Sequence, residues 1–434
     1  MKLNYKRTIL IGLAFMSICA FWQFYDNEIP KILTYHYGLG ETFTGAIMAL
    51  DNVLALFLLP IFGALSDKTE TKLGKRMPFI LGGTFFSVIL LAALICTAHV
   101  STNLFLFIGI LLLLLIAMGT YRSPAVSLMP ELTPAVHRSK ANAIINLMGT
   151  LGAIYTLIMI KVFLKSAANE ADTNYIPLMI SLVVFMVLTV AVLFFTIPEN
   201  KLIPKVRAEV DSFDGEGGEL ESEDSDVPSS MSKDVFRSLV FLLVSVFLWF
   251  AAYNAVTTAF SRYVTEVWDL HNGAYADCLM IATVAAVLSY VPIGIISSKI
   301  GRKKTILIGV AIMTVCYLAA AMMTTYNSAL SFLFGVIGIG WAAINVNSYP
   351  MVVEMGRSSV IGKYTGLYYT FSMAAQVFTP IFSGFLLEHV SYRTLFPYAF
   401  VFSCLAFITM LMVRHGDTKP LAKKSVLENF DVDD

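Results

Sequence analysis

Twelve long apolar runs dominate this sequence of 434 residues. A helix needs about 20 apolar residues to cross a bilayer, and only helices or closed barrels satisfy their backbone groups there. These runs are too long and continuous for barrel strands. We therefore predict an all-α membrane protein with transmembrane helices at residues 8–36, 42–66, 78–98, 103–129, 139–164, 174–196, 236–264, 272–298, 304–325, 328–353, 360–387 and 393–413.

The composition agrees with a membrane protein and argues against several other classes. Hydrophobic residues make up 57% of the chain and charged residues 14%, whereas soluble domains carry about 25% charged residues. Basic and acidic residues number 30 each, so the net charge favours neither a nucleic-acid nor an acidic partner. The five cysteines occur singly within apolar runs, which is typical of packing residues rather than metal ligands. We expect no metal centre, no cofactor and no nucleic acid.

The basic residues predict the orientation of the chain in the membrane. Of the 30 lysines and arginines, 24 fall in the termini and in the loops on one side of the predicted spans. Because basic loops stay on the cytoplasmic side, we expect a multi-pass protein of the cell membrane with both termini in the cytoplasm.

An acidic stretch divides the chain into two halves. Residues 209–226 hold nine acidic and no basic residues, so we expect a disordered cytoplasmic linker there. A regulatory or calcium-binding role is the alternative, although the spacing of an EF-hand is absent. The predicted organisation is a six-helix bundle at 1–198, the linker at 199–234, a second six-helix bundle at 235–414 and a cytoplasmic tail at 415–434.

The two halves repeat each other in sequence. A shift of 223 residues superimposes Glu131 on Glu354 and Lys140 on Lys363. A second pair of similar stretches begins at Gly63 ("GALSDKTETKLGKR") and at Gly294 ("GIISSKIGRKK"). Two separate landmarks therefore predict a duplication, with two pseudo-symmetric six-helix bundles.

Together with the motif that follows span two, this arrangement resembles the major facilitator superfamily. The motif after span two is Gly-x-x-Ser-Asp followed by Gly-Lys-Arg. The resemblance to the superfamily covers nearly the whole chain. Three stretches resemble the sucrose/proton symporters and their relatives, the glycoside-pentoside-hexuronide-like group, and we place the chain in its bacterial branch. They are "SDKTETKLGKRMPFI", "SPAVSLMPELTPAVHRSKANA" and "GKYTGLYYTFSMAAQVFTP". The resemblance implies a secondary transporter that works by alternating access, and no enzymatic activity.

In that superfamily the loop after span two forms a latch at the cytoplasmic side. Asp67 can pair with a nearby guanidinium, and the glycines allow close approach of the backbone. The alternative is that the basic residues of this loop only fix the topology. The second-half copy has Ser298 in place of the acid, so we expect an asymmetric latch. The predicted cytoplasmic gate comprises Gly63, Asp67, Gly74, Lys75, Arg76, Arg122, Glu131, Arg138, Gly294, Gly301, Arg302, Glu354 and Arg357.

Two acids within the predicted spans are candidates for proton coupling. Asp26 and Asp51 should lie at a similar depth, because span one runs outward and span two runs inward. Burial and a neighbouring like charge both disfavour a carboxylate, so at least one could hold a proton near neutral pH. Alternatively, Asp26 lies among the headgroups, or either acid serves as a structural hydrogen-bonding group.

The coupling acids of the resembling families cannot be transferred directly to this chain. Leu115 stands where the plant symporters carry an acid in span four, and Thr258 where they carry one in span seven. Ala55 and Leu59 stand at the two acids of the melibiose carriers. Asp51, which lies on the same face of span two as Ala55 and Leu59, is the natural substitute for these coupling acids.

Sugars are bound by polar groups that reach their hydroxyls and by aromatic rings that stack on them. Arg122 is expected to pair with Asp67 or a cavity acid, or to bind substrate oxygens. The substrate-binding candidates, about half of which we expect to line the cavity, are Trp22, Tyr25, Asn52, Asn146, Tyr253, Asn254, Asn345, Asn347, Tyr368, Tyr369 and Gln376.

These features predict a proton-coupled symporter for a disaccharide or small oligosaccharide such as sucrose or maltose. The expected partners are a small-molecule substrate, a proton and the lipid bilayer, and we expect a monomer. Alternatives are a uniporter, a symporter of another small metabolite, and a non-transporting membrane sensor.

Overall fold

The computed structural model describes residues 3–133, 138–164, 170–214, 233–271, 273–355 and 361–416, and all regular elements in these ranges are helical. The α-helices are α1 (Tyr5–Lys31), α2 (Glu41–Met48), α3 (Leu50–Lys68), α4 (Met77–Val100), α5 (Leu104–Glu131), α6 (Arg138–Phe163), α7 (Ile176–Thr196), α8 (Glu199–Asp214), α9 (Lys233–Trp268), α10 (Tyr275–Ile300), α11 (Arg302–Ala321), α12 (Ala329–Glu354), α13 (Ile361–His389) and α14 (Leu395–Met412). A π-helical turn, Ile32–His36, continues α1, and single 3₁₀ turns form at Glu170–Asp172 and Tyr392–Thr394.

Twelve segments in the described part of the chain are long and apolar enough to cross a membrane, as predicted. Helices α2 and α3 together form span two, which is interrupted at Ala49. The ends differ from the prediction by a few residues. Span seven extends to Trp268 rather than 264, and span nine ends at Ala321 rather than 325.

The start of the predicted linker is helical, which corrects the expected disorder for residues 209–214. Helix α8 covers Glu199–Asp214. Leu202, Ile203 and Val206 recur at helical spacing, and Val206 is buried. An apolar stripe of this kind lets a helix dock on the body of a protein, whatever the charge of its later residues. The rest of the acidic stretch lies outside the described residues.

The helices of each half pack mainly with one another. In the first half, α1 packs against α6 and α7, and α4 packs against α5. In the second half, α9 packs against α14 and α13, and α12 packs against α10 and α11. We call the side on which Asn4 and Arg414 lie the terminal face and the other side the far face.

Among the described residues the two halves meet mainly through three helix pairs: α1 with α9, α6 with α10, and α2 with α13. The last pair is tight, because a Cβ atom added at Gly45 would collide with the backbone carbonyl of Pro380. One added at Gly384 would collide with the backbone carbonyl of Glu41. Helix α13 contacts α3 only slightly. Spans two and eleven are therefore joined most closely toward the far face.

Candidate functional site

A cavity of about 240 Å³ lies between the two halves. From α1 it is lined by Gln23, Asp26 and Asn27. From the second half it is lined by Tyr253, Asn254, Val256, Thr257, Leu279, Ala282, Thr283, Tyr317, Phe334 and Ile337. A mixed polar and apolar lining with a few convergent polar groups is typical of small-molecule sites.

Several buried polar atoms at this cavity have no hydrogen-bond partner among the described residues. Tyr25 Oη also has no described partner, but the fully buried Tyr25 is not among the residues that line the cavity. The atoms at the cavity are Oδ1 of Asn27, Nδ2 of Asn254 and Oη of the fully buried Tyr317. Because buried polar groups in folded proteins are nearly always paired, these atoms are suited to bind a polar ligand.

The structure brings together Asp26, Asp51 and Arg122 from three different helices. The two carboxylates interact electrostatically with each other and with the Arg122 guanidinium. Asn52 Nδ2 donates a hydrogen bond to Asp51 Oδ1 at 2.7 Å. Arg122 Cζ lies 5.7 Å from the centroid of the Trp22 ring, a cation–π distance. Arg122 therefore lies beside the cavity acids, whereas Asp67 is bound by Arg76.

Asp51 and Arg122 line a narrow cleft next to the cavity, with a volume of about 10 Å³. Ala55, Leu59 and Leu115 also line this cleft. These are three of the four positions named above at which the resembling families carry acids. This chain thus also has an acid in this part of the fold, but the acid is Asp51.

The other substrate-binding candidates are distributed over the second half and α6. Tyr253, which lines the cavity, is stacked on Trp341 with ring centroids 3.8 Å apart and planes at 1°. Asn347 accepts a hydrogen bond from Ser297 and donates one to the Ala343 carbonyl at 2.9 Å, so its amide is engaged within the second half. The remaining candidates, Asn146, Asn345, Tyr368, Tyr369 and Gln376, are not among the described residues that line the cavity.

On the terminal face, Arg76 is the centre of an ion-pair network. Its side chain is buried and binds Asp67 and Glu131, with Nη2 2.6 Å from Glu131 Oε1. It also donates to the Gly63 carbonyl at 3.3 Å and to Ser66 Oγ. Burial lowers the pKa of Arg76, but the hydrogen bonds and charges of Glu131 and Asp67 outweigh burial and raise it above its ordinary value. The predicted gate residues Gly63, Asp67, Arg76 and Glu131 therefore meet.

Sequence reasoning missed Glu199, which completes this network. Its carboxylate accepts hydrogen bonds from the backbone N–H groups of Lys75, Arg76 and Met77 at 2.7–3.1 Å. These amides open helix α4, so the acid also interacts favourably with the helix dipole. Gly74 has φ +119°, and any side chain there would collide with Glu199. The glycine is thus required by both the turn and the close approach.

The second-half copy of the gate is only partly described. Gly301 has φ +96° and precedes α11, and the neighbouring Lys303 Nζ donates to the Val413 carbonyl at 2.5 Å. Gly294 and Arg302 lie at the end of α10 and the start of α11. Arg138 and Glu354 belong to helices α6 and α12, but their side chains and the whole of Arg357 lie outside the described residues.

A buried ion pair joins the halves toward the far face. Arg262 Nε lies 2.8 Å from Glu41 Oε2, and neither side chain is more than 6% exposed. Tyr392 Oη also donates to Glu41, at 2.8 Å. Thr258, one turn before Arg262, stands where the plant symporters carry an acid in span seven. The acid comes instead from span two, 221 residues away in the chain.

Further polar contacts between the halves lie on the same side. Tyr275 Oη of the second half donates to Glu28 Oε1, and the same carboxylate pairs within α1 with Lys31 Nζ at 3.6 Å. Lys161 Nζ pairs with Asp277 at 2.6 Å. The Thr42 N–H donates to Glu388 at 2.8 Å. These contacts close the far face of the molecule.

Comparison with known families matches this chain to one model. Residues 9–412 match the family described as MFS/sugar transport protein. The chain belongs to this family. The match covers all twelve spans, and family members of this kind are secondary transporters embedded in the membrane.

This MFS/sugar transport family member also resembles individual proteins. It is 23% identical over 172 residues to the uncharacterized MFS-type transporter YfkL of Bacillus subtilis (strain 168), a match that covers 39% of this chain and only 41% of that protein. Its fold is similar to that of a POT family transporter in complex with 5-aminolevulinic acid (TM-score 0.71, 11% identity, 95% and 96% of the two chains). It is also similar to a mutant of the nucleoside transporter NupG, with TM-score 0.67, 15% identity and coverage of 94% and 100%. At these identities the structures support the fold alone.

Proposed function

We propose that this transporter carries a glycoside, a disaccharide or small oligosaccharide such as sucrose or maltose, together with a proton. The observation that carries the proposal is the cavity between the halves, where Asp26 lies beside the unpartnered polar atoms of Asn27, Asn254 and Tyr317. Hydroxyl groups of a sugar both donate and accept, so one molecule can satisfy an orphaned carbonyl oxygen, an amide and a phenol.

The proton role is assigned to the pair of acids. Both carboxylates lie within electrostatic range of the Arg122 guanidinium, so the group of Asp26, Asp51 and Arg122 carries one excess negative charge when both acids are ionised. An excess charge in a membrane-embedded site is costly, and one bound proton removes it. Binding of one proton to this pair of acids would therefore stabilise the substrate-loaded states of the transporter.

Alternating access is the proposed mechanism of movement. The Glu41–Arg262 pair and the tight packing of α2 on α13 hold the far face closed in this structure. Among the described residues, the Arg76 network joins the first half to Glu199 at the start of the linker and includes no residue of the second half. Breaking the far-face contacts while the terminal ends of the halves approach would expose the cavity to the other side. We place both termini in the cytoplasm of the cell and take the monomer as the working unit.

The test is uptake into proteoliposomes of sucrose, maltose and related glycosides, with and without an inward proton gradient. The wild type is expected to accumulate at least one of them, by up to about ten-fold per pH unit for one coupled proton. Asp51→Asn should retain equilibration but lose accumulation. Asp234→Asn, an exposed acid at the start of α9, is the charge-matched control and should accumulate normally.

Two results would contradict parts of this proposal. Uptake that reaches only equilibrium in the wild type would indicate a uniporter. Full gradient-driven accumulation by Asp51→Asn would remove the assigned proton role. An absence of both uptake and ligand-induced stabilisation across the sugar panel would instead favour a transporter of another metabolite, or a membrane sensor.

A further inference from the structure

The central cavity is built mainly by the second half of the molecule. That half supplies most of the described lining residues, with Tyr253 and Tyr317 as its titratable side chains. The first half contributes Gln23, Asp26 and Asn27, all from α1. Among the described residues, a ligand in this cavity therefore meets the first half through a single helix.

Asn27 brings a hydrogen-bond acceptor to this cavity. Its side chain is buried, and Nδ2 donates to the Gln23 carbonyl, one turn earlier in α1, at 2.9 Å. A carbonyl oxygen can only accept, so this bond fixes which end of the amide is the nitrogen. Oδ1 is left buried without a described partner, and neither Gln23 nor Asp26 has such an atom. A ligand hydroxyl can supply the donor that Oδ1 requires.

Asn27 also lies where the two halves touch. Its backbone carbonyl accepts a hydrogen bond from Ser261 Oγ of α9 at 3.3 Å. On the other side of the cavity, the Nδ2 donor of Asn254 has no described partner. A ligand that binds both amides would therefore bridge the halves at a point where they are already in contact.

The residue before Asn27 is one of the two acids of the proposed proton site. Asp26 of α1 interacts electrostatically with Asp51 of α3 and with the Arg122 guanidinium of α5. Because consecutive residues of a helix move together, a ligand that holds Asn27 in place also sets the position of Asp26 relative to Asp51. Occupation of the cavity and protonation of the acid pair are thereby connected through α1.

We propose that Asn27 is a substrate-binding residue, and that its bond to a sugar hydroxyl links binding of the sugar to binding of the proton. This inference rests on the proposed proton-coupled transport of glycosides and names the residue through which the two are coupled. By thermodynamic linkage, a sugar that favours the protonated acids binds with uptake of protons, and the protonated transporter binds the sugar more tightly. Asn254 and Tyr317 of the second half contribute affinity without connecting the sugar to the acids.

The experiment measures how many protons the protein takes up when it binds a sugar. Sucrose and maltose are titrated separately into the full-length protein in lipid nanodiscs, at neutral and at alkaline pH, in buffers of different ionisation enthalpy. The dependence of the observed heat on the buffer gives the proton count, and the wild type is expected to take up a measurable fraction of one proton per sugar. Asn27→Leu should weaken binding about three- to ten-fold, as expected for the loss of one hydrogen bond, and should lower the proton count to near zero.

Asn254→Leu is the matched control. It removes the same kind of amide from the second-half side of the same cavity, so it should weaken binding by a similar factor. It should leave the proton count at the wild-type value. Asn27→Ala replaces Asn27→Leu if the latter does not yield folded protein, and the same loss of proton uptake is expected.

The possible outcomes distinguish the inference from the proposed function. A wild-type proton count in Asn27→Leu overturns the inference and leaves the proposed function standing, with the sugar acting on the acids by excluding water from Asp26. Loss of proton uptake in Asn254→Leu as well would overturn the specific role of Asn27. If neither sugar binds and no glycoside is taken up in the proteoliposome assay, the proposed function fails, and the inference fails with it.

Discussion

At the scale of single residues, Glu41 and Arg262 form the most completely buried ion pair described between the halves. The exposed fractions of their side chains are 2% and 6%. Each also binds a neutral partner, Tyr392 for Glu41 and the Thr258 carbonyl for Arg262. Removing one member of such a pair leaves a buried charge without its counter-ion, which is more costly than removing both.

We therefore predict that Glu41→Gln lowers the free energy of unfolding by about 3 kcal/mol. The double variant Glu41→Gln/Arg262→Gln should recover part of that loss. The measurement is a double-mutant cycle of thermal or denaturant unfolding on the purified protein.

The Lys161–Asp277 pair supplies the matched control, because it also joins the halves but its side chains are 52% and 34% exposed. Asp277→Asn should cost no more than about 1 kcal/mol. Equal losses for Glu41→Gln and Asp277→Asn would show that burial does not set the strength of these contacts.

Residues of the site differ in how far the sequence could predict them. Asp26, Asp51 and Arg122 were identifiable because a charge within an apolar run is rare. Glu41 stands at the beginning of a run, where an acid is ordinary, and its partner is 221 residues away. Glu199 binds backbone amides, which no side-chain pattern reveals.

At the scale of helices, the closest contact between the halves depends on two glycines. Gly45 of α2 faces the Pro380 carbonyl of α13, and Gly384 of α13 faces the Glu41 carbonyl. Small residues let helix backbones approach closely in a membrane, where dispersion forces drive association.

We expect Gly45→Ala to push α2 away from α13 and thereby to separate the two halves at the far face. Nitroxide labels at Val100 and Val390, both exposed on the far face, report this as a shift toward longer distances in pulsed electron resonance, in a background without native cysteines. Gly366→Ala, on the partner helix α13, is the control, since nothing lies within 4 Å of the added Cβ.

An unchanged distance distribution for Gly45→Ala would mean that the glycine contact does not hold the far face closed. A similar shift for Gly366→Ala would point to a general effect of alanine on α13 rather than to the contact with Pro380.

The spans were predictable because hydropathy alone determines which segments enter the bilayer. The interruption of span two at Ala49 was not, because both flanking segments are apolar and no glycine or proline marks the break. Helix α8 was missed because the acidic residues that follow obscured its short apolar stripe.

At the scale of the whole molecule, the two halves touch through a limited set of helices and do so most firmly on one face. The Arg76 network occupies the other face and joins the first half to Glu199 at the start of the linker. Such an arrangement permits the halves to rock about the cavity without rebuilding either bundle. Which face is cytoplasmic decides whether this structure opens inward or outward.

We predict that the terminal face is cytoplasmic. In a background without native cysteines, Val100→Cys on the far face should react with an impermeant thiol reagent applied to intact cells. Glu70→Cys, in the exposed loop between α3 and α4, should react only after the membrane is permeabilised. Reaction of Glu70→Cys alone in intact cells would reverse the assigned orientation.

The position of Trp22 gives the protein an internal optical reporter. The chain has four tryptophans, and the other three, Trp249, Trp268 and Trp341, all belong to the second half. The indole of Trp22 lies under the Arg122 guanidinium and beside the Tyr25 ring. Replacing the three second-half tryptophans by phenylalanine would leave one fluorophore, whose emission follows the charge state of the neighbouring acids without any attached dye.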